Sequence, residues 1–168
     1  REDILAFRTV DENIIHLNST RVVKLDPTDP FALSRAEVEG RAQMVELADF
    51  LKSNFDICKN LRIVSSAPEI GVRESRMAAG EHLLTGRELV DTVKFPDAIA
   101  AGNYEIDIHN PEGSGTSHYY FPAGEYYTIP YRSLVARDAD NLLVAGRCIS
   151  CDHEAQASIR IMPICCAT

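Results

Sequence analysis

No stretch of this 168-residue sequence approaches the roughly 18 consecutive apolar residues that a bilayer crossing requires. The opening, REDILAFRTV, carries no secretory leader pattern. It also lacks an initiator Met, so the chain reads as cut or processed. There is no basic stripe interleaved with aromatics. With a net charge of −8, the chain repels phosphate backbones, which argues against nucleic acid as a partner. Internal repeats, coiled-coil heptads and low-complexity tracts are missing as well. These absences leave an ordinary soluble globular chain, 45% hydrophobic and 25% charged, forming one domain or part of a larger one.

The five cysteines, Cys58, Cys148, Cys151, Cys165 and Cys166, are odd in number and crowd toward one end, a poor disulfide framework. Reduced thiols in a non-oxidising compartment are the simpler expectation, which favours the cytoplasm.

Hydrophobic periodicity supplies the elements. Asn13–Leu17 reads as a short strand, followed by turns at Asp26-Pro27 and Asp29-Pro30. Ser34 and Glu37 match a capping box, and Leu33 with Val38 a hydrophobic staple. Val38, Ala42, Val45, Ala48, Leu51 and Phe55 then recur at helical spacing, predicting a helix from Ser34 to about Asn54. Leu61–Ser65 reads as a strand; Val72–Leu84 is ambiguous. Thr85 and Glu88 repeat the capping box, stapled by Leu84 and Leu89, for a short helix to about Val93. Pro96 and Gly102 punctuate a loop. Tyr104–His109 alternates, with Tyr104, Ile106 and Ile108 on one face and Glu105, Asp107 and His109 on the other, as in a half-buried strand. Asn110–Gly124 reads as a long loop. Tyr126–Val135 is strand-like, but Pro130 confines it to an edge or bulge. Leu142–Ala145 is a short apolar run, typical of a strand covered on both faces. The expected class is α/β with a mixed sheet.

The tail, NLLVAGRCISCDHEAQASIRIMPICCAT, carries the most chemistry. Gly146 at a strand's carboxyl end lets the main chain touch a ligand. Arg147 and Arg160 offer positive charge. A polar loop then leads to Pro163, which suits a first helical turn and would leave the N–H groups of Ile164, Cys165 and Cys166 to face an anion. The same spacing also fits an ordinary strand–loop–helix connection.

Beyond spacing, NLLVAGRCIS…HEAQASIRIMP resembles the C-terminal signature of a bacterial family of FAD-dependent oxidoreductases. TDPFALSRAEVEGR at Thr28–Arg41, IGVRESR at Ile70–Arg76, IDIHNPEGSGT at Ile106–Thr116 and IPYRSL at Ile129–Leu134 are similar to the same family, in the same order. The resemblance implies a glutathione-reductase-type architecture and FAD as cofactor. It implies that 1–135 belongs to a substrate domain and that 136–168 returns into the FAD-binding domain. Gly146, Arg147, Ser150, Ser158, Arg160, Ile161 and Met162 would then line the cofactor. Arg73 would anchor a small organic substrate that gives up a hydride, and His109 would assist proton transfer. No G-x-G-x-x-G loop is present; Gly113-Ser114-Gly115 lacks the third glycine. The chain is therefore expected to be a C-terminal fragment whose partner is the missing FAD-binding half, inactive and weak in FAD binding by itself.

Other patterns point elsewhere. Cys148-Ile149-Ser150-Cys151 is a C-x-x-C, compatible with a redox dithiol or half a zinc site. Arg73 and Arg76 flank Glu74, and surface pairing with Glu69, Glu74 or Glu81 is their bland alternative. Glu105, Asp107 and His109 could do acid–base work or bind a metal, or form a solvated face. Tyr119, Tyr120, Phe121, Tyr126 and Tyr127 could wall a substrate cavity or pin a loop. A cysteine-based redox or zinc domain and a non-catalytic interaction domain are the rival classes.

Overall fold

A computed structural model describes residues 4–109 and 116–168. These form two compact units, one made of the described residues up to Val72, the other of 73–109 and 116–168. Helices and small antiparallel sheets make the class α+β.

The first unit is dominated by one helix, α1 (Pro30–Asn54). It starts at the Asp29-Pro30 pair rather than at Ser34. Asp29 is the N-cap, and its carboxylate accepts from the Phe31 and Ala32 N–H groups at 3.0 and 3.2 Å. Pro30 needs no N–H at that position. Ser34 lies inside the helix and donates its hydroxyl to the Pro30 carbonyl at 2.9 Å. The Asp-Pro pair, which reads as a turn, is thus the helix start. Phe55 ends α1 with an extended backbone, its N–H still reaching the Leu51 carbonyl.

The packed face of α1 overlaps the periodic one only toward its end, at Ala48 and Leu51. Ala32, Ala36, Ala48 and Leu51 are buried, while Val38 is 72% exposed and Val45 49%. Polar side chains strap flanking chain to the helix. The Gln43 amide accepts from Arg21 N–H at 2.9 Å and donates to its carbonyl at 3.0 Å. Glu37 accepts from the Ile70 N–H, and Arg41 donates to Ser66 and to the Pro68 carbonyl. A hairpin of β1 (Ala6–Arg8) and β2 (Ile15–Leu17) completes the unit, with Phe7 opposite His16. Leu61–Ser65 pairs with no other strand among the described residues, and Val64 is 71% exposed. An apolar run becomes a strand only where a second backbone meets its N–H and C=O groups.

In the second unit, α2 (Gly86–Val90) has the complete Thr85–Glu88 capping box. Leu84 and Leu89 are both fully buried in the core. Strand β3 (Ala98–Gly102), which reads as loop in the sequence, pairs antiparallel with β6 (Tyr127–Pro130). Gly102 lets β3 lie close, because a Cβ there would stand 2.7 Å from both Ile164 Cδ1 and the Tyr127 hydroxyl. Strands β4 (Ile106–His109) and β5 (Thr116–Tyr119) form a hairpin, with Asp107 opposite His118. Within the long loop expected over 110–124, Thr116–Tyr119 is therefore strand, and 110–115 lies outside the described residues.

Leu142–Ala145 is not a strand. It makes a single bridge, Leu143 to Val135. Leu142 and Leu143 are about half exposed, so no sheet covers this run on both faces. The segment expected to be a polar loop instead holds α3 (His153–Ile159), followed by α4 (Met162–Ala167). Leu84, Leu89, Ile106, Tyr127, Ile129, Ile149, Ile159 and Ile164 form the heart of one core shared by these elements.

Candidate functional site

The tail is buried in its middle and open at its ends. Ala145, Arg147 and Cys148 are exposed, 149–151 are buried, Ala155–Ile159 are buried, and Met162 is exposed again. Helix α3 causes this. Asp152 caps it, accepting from the Ala155 N–H at 2.7 Å, and its apolar run sinks into the core. Ser158 is fully buried; its hydroxyl pairs with the Tyr127 hydroxyl at 2.7 Å and donates to the Tyr104 carbonyl at 2.5 Å. Ser150 is also buried, its N–H bonded to Ser133 and its carbonyl to Leu84. Both serines are thus committed to partners within the core.

The two open ends meet. Gly146 adopts φ +68°, a conformation that favours glycine, and its N–H donates to the Thr168 hydroxyl at 3.0 Å. A Cβ at Gly146 would lie 3.8 Å from Cys165 Cβ, so this turn sits against α4. Arg147 Nε donates to the Arg160 carbonyl at 3.3 Å. Gly146, Arg147, Arg160, Ile161 and Met162 thereby form one strip. Pro163 is the second residue of α4, and no side chain caps that helix. The Cys165 N–H is not free for an anion, since it bonds the Ile161 carbonyl at 2.9 Å.

Arg160 connects this strip to the β4–β5 hairpin. Its side chain, 13% exposed, donates through Nη2 to the Asp107 carbonyl at 3.3 Å and to Asp107 Oδ2 at 3.4 Å. The Tyr104 phenol nearby is pushed up chiefly by burial, then by Asp107 and Glu105, with Arg160 and Arg73 opposing. Arg73 therefore belongs to the same electrostatic neighbourhood. The acidic face of β4 is not simply solvated, for Glu105 holds His118 Nδ1 at 2.8 Å. His109 stands at the end of β4; its side chain lies outside the described residues. His118 was missed as a partner of Glu105 because it lies 13 positions away, across a hairpin that reads as loop. Glu74 pairs with His153 at 2.7 Å.

The C-x-x-C pair does not share one environment. Cys148 is exposed and donates to the Ala145 carbonyl at 3.2 Å. Cys151 is buried; its thiol lies 3.1 Å from Gln156 Oε1 and 3.3 Å from Met77 Sδ. Burial pushes that thiol up to about 12, with Asp152 and Glu74 adding to it. A reactive dithiol needs a depressed thiol, which is the opposite trend. Among the described residues no group of three or more His, Cys, Asp or Glu could hold a metal ion, and no helix is long and apolar enough to cross a membrane.

The chain matches a family model over residues 1–168, described as FAD dependent oxidoreductase. No curated protein and no solved structure matches it. With the match spanning every residue from the hairpin at the start to the Gly146–Met162 strip at the end, the chain belongs to the FAD dependent oxidoreductase family.

Proposed function

We propose that this chain serves a flavoprotein of the glutathione-reductase type, which oxidises a small organic substrate by passing a hydride to FAD. On this reading, 1–135 contributes to a substrate domain and 136–168 closes the cofactor site. The dinucleotide-binding half would come from a segment carrying a G-x-G-x-x-G loop. The observation that carries the proposal is the family match over the full sequence. It is supported by the open strip in which Arg147 is tied to the Arg160 carbonyl.

The residues of the strip fit a flat, anion-bearing cofactor. Gly146 presents backbone without a side chain, and Arg147 offers an exposed guanidinium. Ile161 and Met162 supply apolar surface, Met162 being 74% exposed. Ser150 and Ser158 are buried and bonded within the core, so the strip is left to the other five residues. FAD, when bound, supplies the two-electron acceptor. Arg73 would bind an anionic group of the substrate, as a guanidinium fork suits a carboxylate. His109 would assist proton transfer from the end of β4.

The test is co-expression with a family segment carrying the dinucleotide-binding loop. The expected product is a yellow complex with a flavin absorbance spectrum, and Arg147→Ala should weaken retention of FAD about 10-fold, the loss of one charge-assisted contact. A folded, colourless complex would overturn the reading.

A further inference from the structure

The β4–β5 hairpin carries a constellation that the cofactor strip does not use. Glu105, Asp107, His118 and Tyr120 gather on one face, which follows from the Asp107–His118 register. His118 Nδ1 stands 2.8 Å from Glu105 Oε2. An ionised carboxylate only accepts, so Nδ1 is the donor here, and whenever the ring is neutral Nε2 carries the lone pair. The Tyr120 ring stacks on His118 at 5.7 Å with an 11° interplanar angle. The Tyr120 phenol is raised by its proximity to the Glu105 carboxylate. The imidazole is thus held at its edge by Glu105 and on its face by Tyr120. The His118 side chain is 35% exposed and that of Glu105 21%, so the base is reachable and its orienting group half-sheltered. Asp107, the cross-strand partner of His118, is bonded to Arg160, with Tyr104 and Arg73 beyond.

We propose that His118, oriented by Glu105 and Tyr120, is a general base of this protein, taking a proton at Nε2 from the hydroxyl or amine of a substrate. This rests on the oxidoreductase reading for the identity of the proton. The X–H proton moves to Nε2, giving an imidazolium beside the Glu105 carboxylate. The adjacent C–H hydrogen leaves with its electron pair to the flavin of the family, and a C=O or C=N bond closes. The placement suits that role. One cross-strand pair and one ion pair, His118–Asp107–Arg160, separate the base from Arg160 on the cofactor strip. Such a base contributes about 10²–10⁴-fold to a proton-coupled step.

The test needs neither flavin nor a known substrate. Long-range proton–nitrogen NMR at about pH 8, where an ordinary histidine is neutral, reads the tautomer directly. The expected result is the Nδ1–H form of His118, retained in Tyr120→Phe. In Glu105→Ala the proton should shift to Nε2, and carbethoxylation of His118 by diethyl pyrocarbonate, read by peptide mass, should slow several-fold. A proton on Nε2 in the unaltered chain overturns the proposal. So does an acylation rate indifferent to Glu105→Ala. If that variant fails to fold, the tautomer of the unaltered chain still decides. A colourless complex in the co-expression experiment would remove the hydride step and leave this result as it stands.

Discussion

At the scale of single residues, burial decides which polar groups work as chemistry and which as scaffold. Tyr127 and Cys151 show the second case. Burial pushes the Tyr127 phenol up to about 12 against the opposing Ser158 hydrogen bond, and the Cys151 thiol likewise to about 12. Both groups hold their protons more tightly folded than unfolded, where values near ~10 and ~8.5 are usual. Their contribution to stability is thus complete below about pH 8 and is lost as pH rises toward the folded values. Urea unfolding followed from neutral to about pH 11 should show stability falling by about 1–3 kcal/mol. Tyr127→Phe should make that fall shallower. A stability flat across the alkaline range would mean that neither group is buried as described. The residue scale is also where the sequence was least informative about the candidate site. Ser158 stands in a motif that suggests cofactor contact, yet its hydroxyl is committed to Tyr127 and Tyr104.

Elements follow local rules where the rule closes within a few residues. The Thr85–Glu88 capping box is readable because both partners lie within one turn, and it is present in full. Asp152 shows the limit of such reading. As the N-cap of α3 it is locally legible, but the same carboxylate accepts the Gly86 N–H at 3.0 and 3.1 Å, from α2, 66 positions away. It thereby serves two helix starts at once. Asp152→Ala should cost more than Thr85→Ala in chemical denaturation, about 2–3 against about 1 kcal/mol. Equal losses would show that the contact to Gly86 contributes nothing. The misplacement of the α1 start has a related cause, since both Asp29 and Ser34 are good cap residues. The Asp-Pro pair prevails because it offers the carboxylate and the missing N–H together.

For the molecule as a whole, the question is which apolar surface each unit buries. On α1, periodicity selects Val38, Ala42, Val45, Ala48, Leu51 and Phe55, of which the unit buries Ala48 and Leu51 together with Ala32 and Ala36 and leaves Val38, Val45 and Phe55 exposed. Val38→Ser and Val45→Ser should each change the unfolding free energy of this chain by less than about 0.5 kcal/mol, whereas Leu51→Ala should cost about 2–4 kcal/mol. A large loss at Val38 in a denaturation series would place that face against protein.

What the sequence by itself determined is local and compositional. It specified the α1 and α2 helices, the alternation of β4, the edge position of Pro130 and the family motifs spread along the chain. Only the tertiary structure decided that Ala98–Gly102 is a strand and Leu142–Ala145 is not, that α3 buries Ser158, and that Glu105 meets His118. The physical reason is common to all four. A cap or an amphipathic period is satisfied by neighbours a few residues away. A ladder partner, a burial depth or a side-chain pair across a hairpin depends on where distant backbone comes to lie.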